Sequence, residues 1–164
     1  MNFDEYIKEN REEFTEKVNN ISNELGIEAN WLMFVMWFES KLNPQAVNPI
    51  SGAQGLIQFM PSTARSLGTT TAVLKRMNNV QQLDYVLAYL RPYRGKMKRW
   101  IDVYLAVFYP KAMGNPNFVI TSDIVAKQNR VFDLNRDLDI TVKEIETALR
   151  NRMPEKYKKY YEGL

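Results

Sequence analysis

Trp31-Leu32-Met33-Phe34-Val35-Met36-Trp37-Phe38-Glu39-Ser40 is the stretch on which the fold turns. At helical spacing, Trp31, Phe34, Val35, Phe38 and Leu42 share one face, while Leu32, Met33, Met36 and Trp37 cover the remainder. A helix apolar nearly all round is a helix buried on every side. Pro44 disfavours helical geometry at Asn43, so the segment is predicted over about residues 30–42. The apolar run ends at Phe38, far short of the roughly 18 to 20 residues that cross a bilayer, and no transmembrane segment is expected.

Upstream, Phe3, Ile7, Phe14, Val18, Ile21 and Leu25 recur at gaps of three, four or seven, the stripe of one amphipathic helix that Gly26 is placed to end. Downstream, a Gly-punctuated stretch runs to Gly55, and Leu56 to Leu67 reads as short helices broken at Pro61 and Gly68. Asn79 with Gln82 has capping-box spacing at the start of a helix that Pro92 should end or kink. Further helices are predicted from Trp100 to Phe108 and from Thr141 to about Arg152, the latter opened by Thr141 and Glu144. Asn117 to Thr121 suits a short strand, and a basic tail follows from Pro154. The fold class is all-α, in one domain over residues 1–164.

Composition narrows the chemistry. With 22 Lys and Arg against 19 Asp and Glu, the net charge is only +3, and 45% of residues are apolar. The 7 Gly, 7 Pro and absence of Cys exclude a collagen-like chain and a disulfide scaffold. There is no His, so proton transfer falls to carboxylates, Lys or Tyr. The acidic opening residues lack the basic start and apolar middle of a secretory signal, and the chain is expected to be made in the cytoplasm and delivered by other means.

Glu39 closes an apolar helix. An ionised carboxylate without a partner is costly to bury, and the negative end of the helix macrodipole adds to that cost. Both effects favour a protonated Glu39, suited to donating a proton to a leaving oxygen. The alternative is a carboxylate that reaches solvent at the helix end or pairs with a Lys or Arg.

The sequence continues Glu39-Ser40-Lys41-Leu42-Asn43-Pro44-Gln45-Ala46-Val47-Asn48, then Ser51-Gly52-Ala53-Gln54-Gly55-Leu56-Ile57-Gln58-Phe59-Met60-Pro61-Ser62-Thr63-Ala64. It resembles the lytic transglycosylase SLT domain, related to goose-type lysozyme. That family pattern runs from Glu-Ser at a helix end through Pro-x-Ala, Gly-Ala-x-Gly-Leu-x-Gln and Met-Pro-x-Thr-Ala. The resemblance implies a lysozyme-like helical domain whose buried central helix carries the catalytic Glu, with a motif core over residues 25–110 and a C-terminal helical extension. It also implies cleavage of the β-1,4 bond between N-acetylmuramic acid and N-acetylglucosamine in peptidoglycan, with Glu39 as acid and then base.

In such enzymes the muramyl 6-hydroxyl attacks internally, which removes the need for the second carboxylate of most glycosidases. No acidic residue lies between Glu39 and Asp84. Goose-type relatives activate water instead, a role for which Asp84 and Asp102 are the candidates. The resemblance gives Gln58 the role of a sugar-binding amide. It places Asn48, or Ser51 after one extra residue, close to the acid. Gly52 and Gly55 permit tight turns or close approach to ligand, and Ile57 and Met60 read as cleft wall or core. Relatives carry Ala-Tyr-Asn-Ala-Gly, where this chain has Tyr104-Leu105-Ala106-Val107-Phe108-Tyr109-Pro110; Tyr109 is the candidate hydroxyl, with Tyr104 on the same helix.

Two features lie outside that pattern. Residues 133–144, from Asp133 to Glu144, place oxygen side chains at EF-hand positions 1, 3, 5, 9 and 12, although Leu138 stands where Gly usually supplies the left-handed turn. The segment is either a structural Ca2+ site or an Asp- and Asn-rich turn before a helix cap. No other metal or cofactor is implied. Arg91, Arg94, Lys96, Lys98 and Arg99, and the lysines near the C-terminus, read as solvated faces or as attraction to an anionic wall, and nucleic acid is not the expected partner. The partner implied is the peptidoglycan glycan strand. The rivals to a transglycosylase are a hydrolytic muramidase, whether phage endolysin or tail lysin, a non-catalytic wall-binding component, and a calcium-responsive module.

Overall fold

A computed structural model describes residues 1–162; Gly163 and Leu164, the end of the domain expected over 1–164, lie outside the described residues. Helices dominate, as the sequence predicts, and the chain divides into two compact units, Met1–Gly95 and Lys96–Leu164. The boundary falls inside the stretch expected as the motif core, residues 25–110. Among the described residues, no helix is long and apolar enough to cross a membrane.

The first unit is built around α1 (Arg11–Leu25), α2 (Ala29–Ser40) and α5 (Asn79–Leu90), with α1 packed on both of the others. The N-terminal stripe does not form one continuous helix. Asp4–Tyr6 is a single 3-10 turn, and α1 begins after Asn10, whose backbone is left-handed at φ 51°. The break lets Phe3 fold back onto α2, where its ring stacks on Trp37 with centroids 4.9 Å apart. Gly26 ends α1 in the left-handed conformation (φ 70°), and the Ile27 amide reaches back to the Ser22 carbonyl, a C-terminal cap that needs a residue without Cβ strain.

Helix α2 is buried from Trp31 through Trp37, as its composition dictates. It stops two residues earlier than predicted. Lys41 and Leu42 both adopt left-handed geometry (φ 55° and 60°), and the Leu42 amide reaches the Met36 carbonyl at 3.3 Å. This is a Schellman-type ending made without glycine, at a cost of about 1–2 kcal/mol per residue. Burial also ends earlier than expected: Phe38 and Glu39 are half-exposed.

The segment expected as short helices from Leu56 to Leu67 is helical only in α3 (Pro61–Ser66), with α4 (Thr71–Arg76) after it. Residues 46–59 form a compact loop in which Gln54 pairs on one side with Val47 and on the other with Phe59. The capping box of α5 is Asn78 with Gln81, one residue before the pair that the spacing suggested. Two successive Asn residues each have a Gln three positions on, so periodicity leaves the register open. Tertiary packing decides it. Asn79 is buried and donates to the Glu9 carbonyl at 2.7 Å, while Gln82 is fully buried under the loop.

The second unit contains α6 (Trp100–Phe108), α7 (Asp123–Gln128), α8 (Val142–Arg152) and α9 (Glu155–Lys158). Its two-residue strands β1 (Val119–Ile120) and β2 (Ile140–Thr141) pair antiparallel, Val119 opposite Thr141 and Ile120 opposite Ile140. Helix α6 has the predicted bounds and is buried from Trp100 through Ala106. The Thr141–Glu144 capping box opens α8 as expected.

Gln82 is the keystone of the first unit. Its Nε2 donates to the carbonyls of Pro44 at 2.6 Å and Leu74 at 2.8 Å, and its Oε1 accepts from the Leu56 amide at 3.0 Å. Each buried polar group left unpaired costs about 1–3 kcal/mol. Gln82→Ala leaves the buried Leu56 amide unpaired, while the Pro44 and Leu74 carbonyls keep the Gln54 side chain and the Met77 amide as donors. It is therefore expected to destabilise by about 1–3 kcal/mol, lowering Tm by roughly 2 to 12 °C in a thermal melt. Gly55 stands at φ 84° with the Gln82 amide where its Cβ would go. Gly55→Ala should lower Tm by a comparable amount, because neither the backbone nor the anchored amide can yield.

Candidate active site

Three segments of the first unit supply the site: the C-terminal end of α2, the 46–59 loop, and the last turns of α5. Glu39 sits one residue before the end of α2 and is half-exposed. Ser40, the next residue, is buried and holds that end in place. Its Oγ lies 2.9 Å from both the Met36 carbonyl, one helical turn back, and the Leu56 carbonyl in the loop. The residue after the acid thus fastens the acid-bearing helix to the loop that carries Gln58.

The loop is stapled at several levels. The Gly55 amide donates to the Ala46 carbonyl (2.8 Å), the Asn48 amide to Ala53 (2.9 Å), and Gln54 and Phe59 exchange two backbone bonds at 3.0 and 2.9 Å. Gln58 adopts left-handed geometry, φ 55°, which keeps its side chain partly exposed while Ile57 and Phe59 are buried on either side. A non-glycine residue in that region is strain of the kind that collects at functional sites. The Gln58 Nε2 donates to the Ala46 and Gly55 carbonyls at 3.2 and 3.1 Å. Its Oε1 accepts no hydrogen bond among the described residues, so the amide presents an acceptor.

Asn48 and Ser51 spend their side-chain oxygens on the loop. Asn48 Oδ1 accepts from the amides of Ile50 (2.9 Å) and Ser51 (3.1 Å), and Ser51 Oγ accepts from Ala53. Gly55 is buried against Gln82, so the need for glycine there comes from inside the protein rather than from close approach of a ligand. Ile57 is core, but Met60 is 44% exposed and is not. Of the two acids considered as partners of Glu39, Asp84 is ion-paired with Lys17 at 2.9 Å. Asp102, in the second unit, accepts from the backbone amides of Lys98, Arg99 and Gly114 at 2.9 to 3.0 Å, which uses its carboxylate to hold the start of α6.

Tyr104 and Tyr109 belong to the second unit. Tyr104 is buried and stacked on Phe108, and Tyr109, at the end of α6, packs against Phe108 and Phe118. In the first unit the hydroxyl that feels Glu39 is that of Tyr89, a residue the sequence reading passed over. Its ring meets Phe59 edge-on at 6.4 Å and Tyr93 at 6.1 Å. Burial, then the neighbouring Tyr93, then the Glu39 carboxylate push its pKa up to about 12. On the helix opened near Asn79, Tyr89 looks like one more member of an amphipathic face, so nothing in its sequence position marks it out.

In the EF-hand-like segment the Asp133 carboxylate accepts from the Asp137 and Leu138 amides, and Glu144 accepts from Leu134 and Thr141. Leu138 takes the left-handed turn (φ 70°) that its position requires. Among the described residues, no group of three acidic, His or Cys side chains converges in a way that could hold a metal ion.

A phenol whose pKa is raised stays neutral through physiological pH and remains a hydrogen-bond donor. The sign for stability follows: its contribution is complete below the ordinary tyrosine pKa of about 10 and is lost as pH rises towards 12. Ultraviolet titration of Tyr89→Phe should lose one high-pH phenol. Glu39→Gln should move that phenol downward, because one of the charges opposing its ionisation is gone.

The family model described as the transglycosylase SLT domain matches residues 16–111, a span that takes in Glu39, the 46–59 loop and Tyr89. That span exceeds half of the 164 residues, and with an all-α, lysozyme-like architecture and a function tied to peptidoglycan, the chain belongs to the transglycosylase SLT family.

Proposed function

We propose that the protein cleaves the MurNAc-β-1,4-GlcNAc bond of peptidoglycan as a lytic transglycosylase, with Glu39 as its acid and base. Glu39 protonates the bridging oxygen as the C1–O bond breaks. The resulting carboxylate then takes the proton of the muramyl 6-hydroxyl as that oxygen bonds to C1. The product is a 1,6-anhydro sugar, no water is consumed, and Glu39 ends in the protonation state in which it began.

The observation that carries this reading is a half-exposed Glu39 on a helix end that Ser40 fastens to the loop carrying Gln58, with a carboxylate whose charge helps to keep the Tyr89 hydroxyl protonated. Tyr89 offers a donor to the Glu39 carboxylate in the interval between its two proton transfers, and Gln58 offers an acceptor for an N-acetyl N–H. The pairing of Asp84 with Lys17 supports internal attack, since it engages the first acid downstream of Glu39 in an ion pair. Asn48, through its amide N–H groups, and Ser51 remain proposed substrate contacts of the first unit, and Tyr109 remains a proposed contact of the second. The place of action is the bacterial cell wall.

Digestion of purified peptidoglycan followed by mass spectrometry tests the reaction: 1,6-anhydro muropeptides are expected, lighter by one water than hydrolytic products. Reducing ends would instead identify a muramidase, and an absence of any release would identify a non-catalytic wall-binding protein. Glu39→Gln is expected to cut the rate by about 10²- to 10⁴-fold, the usual contribution of a positioned acid–base group. A Glu39→Gln protein as active as the parent would remove Glu39 from the mechanism.

A further inference from the structure

The second unit has a cavity of about 400 Å³ lined by Ala126, Lys127, Arg130, Asp133, Arg136 and Leu138. That volume lies in the range of small-ligand sites, about 300–1,000 Å³. Its charge is one-sided. The lone acid, Asp133, is buried and turned into its own loop, accepting from the Asp137 and Leu138 amides at 3.1 and 3.3 Å. Lys127 is shared with Asp123 only at 3.7 Å, between side chains that are both more than half exposed, a contact of little energetic weight. Arg130 and Arg136 make no ion pair or hydrogen bond among the described residues. The cavity therefore combines two unengaged guanidinium forks and an ammonium with the apolar side chains of Ala126 and Leu138.

Planar guanidinium groups match carboxylates in two-point geometry, and such charge-assisted bonds are about twice as strong as neutral ones. In peptidoglycan the backbone sugars carry amides and hydroxyls, whereas free carboxylates belong to the short peptides attached to the muramyl residues. We propose that this cavity binds a free carboxylate of the peptide stem, with Arg130 and Arg136 as its principal ligands and Leu138 against the adjacent alkyl chain. The inference rests on the reading of peptidoglycan as substrate and adds to it the part of the polymer that the second unit recognises.

The test is calorimetric titration of the full chain with a synthetic stem tetrapeptide bearing free carboxylates, and with the same peptide fully amidated. Binding is expected for the free acid, weakening as salt is raised. Amidation, or the double change Arg130→Gln with Arg136→Gln, should weaken it by about tenfold or more. Lys127→Gln, on an exposed helix position, should give a smaller loss and serves as a second variant. Equal affinity for the amidated peptide, or unchanged affinity in variants that melt like the parent, would overturn the proposal. So would tighter binding of poly(glycerol phosphate) than of the peptide through the same residues.

Cleavage of peptide-free glycan strands keeps the two readings apart. The arginine double variant should cleave them at the parent rate. Stem binding by a protein that cleaves no glycan would leave the cavity assigned and the reaction wrong; cleavage without stem binding would do the reverse.

Discussion

One buried side-chain amide, that of Gln82, ties together the parts of the first unit on which the site depends. Its three hydrogen bonds join α5 to Pro44 after the acid-bearing helix, to Leu56 in the motif loop and to Leu74 in α4. Pro44 and Leu56 lie in irregular chain, where no helix or sheet ladder satisfies their backbone groups, and Leu74 lies in the last turn of α4. Gly55 is glycine because this amide occupies the space beside it. Gln54 makes a second bond to the same Pro44 carbonyl at 3.1 Å, so that one oxygen serves two amides. With the loop fixed in this way, Ser40 can reach Leu56.

The acid's position is maintained against local backbone preference. Two successive left-handed residues, Lys41 and Leu42, turn the chain away immediately after Ser40. Lys41 lays its ammonium 3.4 Å over the centre of the Trp37 ring, and loss of hydration there lowers its pKa. Leu42 is buried, which helps to offset the strain of its backbone. Terminating α2 at this point keeps Glu39 on the last turn, half-exposed, instead of carrying the helix onward and burying the carboxylate within it.

The two units use charge differently. In the first, ion pairs such as Lys17–Asp84 and Arg91–Glu24 join helices at the surface. In the second, Glu146 lies between Arg99 and Arg150, and Asp102 and Asp133 are buried because backbone amides compensate them. That inward turn of Asp133 leaves Arg130 and Arg136 unopposed. A segment whose spacing suggests a cation site consequently borders a cavity of positive character.

The sequence by itself determined the elements whose cause is local or compositional. An all-round apolar run must be buried, so α2 was legible, as were the Gly26 stop, α6 and the Thr141–Glu144 cap. The ordered motif from Glu39 to Ala64 also made the family legible without coordinates. Only the tertiary structure decided where two equally good local patterns competed or where a partner lay far along the chain. The Asn78 or Asn79 register was settled by burial of Asn79 and Gln82, and the early end of α2 by the turn at Lys41 and Leu42. Tyr89 comes under the charge of Glu39, fifty residues away in sequence, only through folding. Capping, periodicity and turn signals act over a few residues, whereas a buried amide finds its partners and a phenol its carboxylate through packing, and packing has no fixed spacing along the chain.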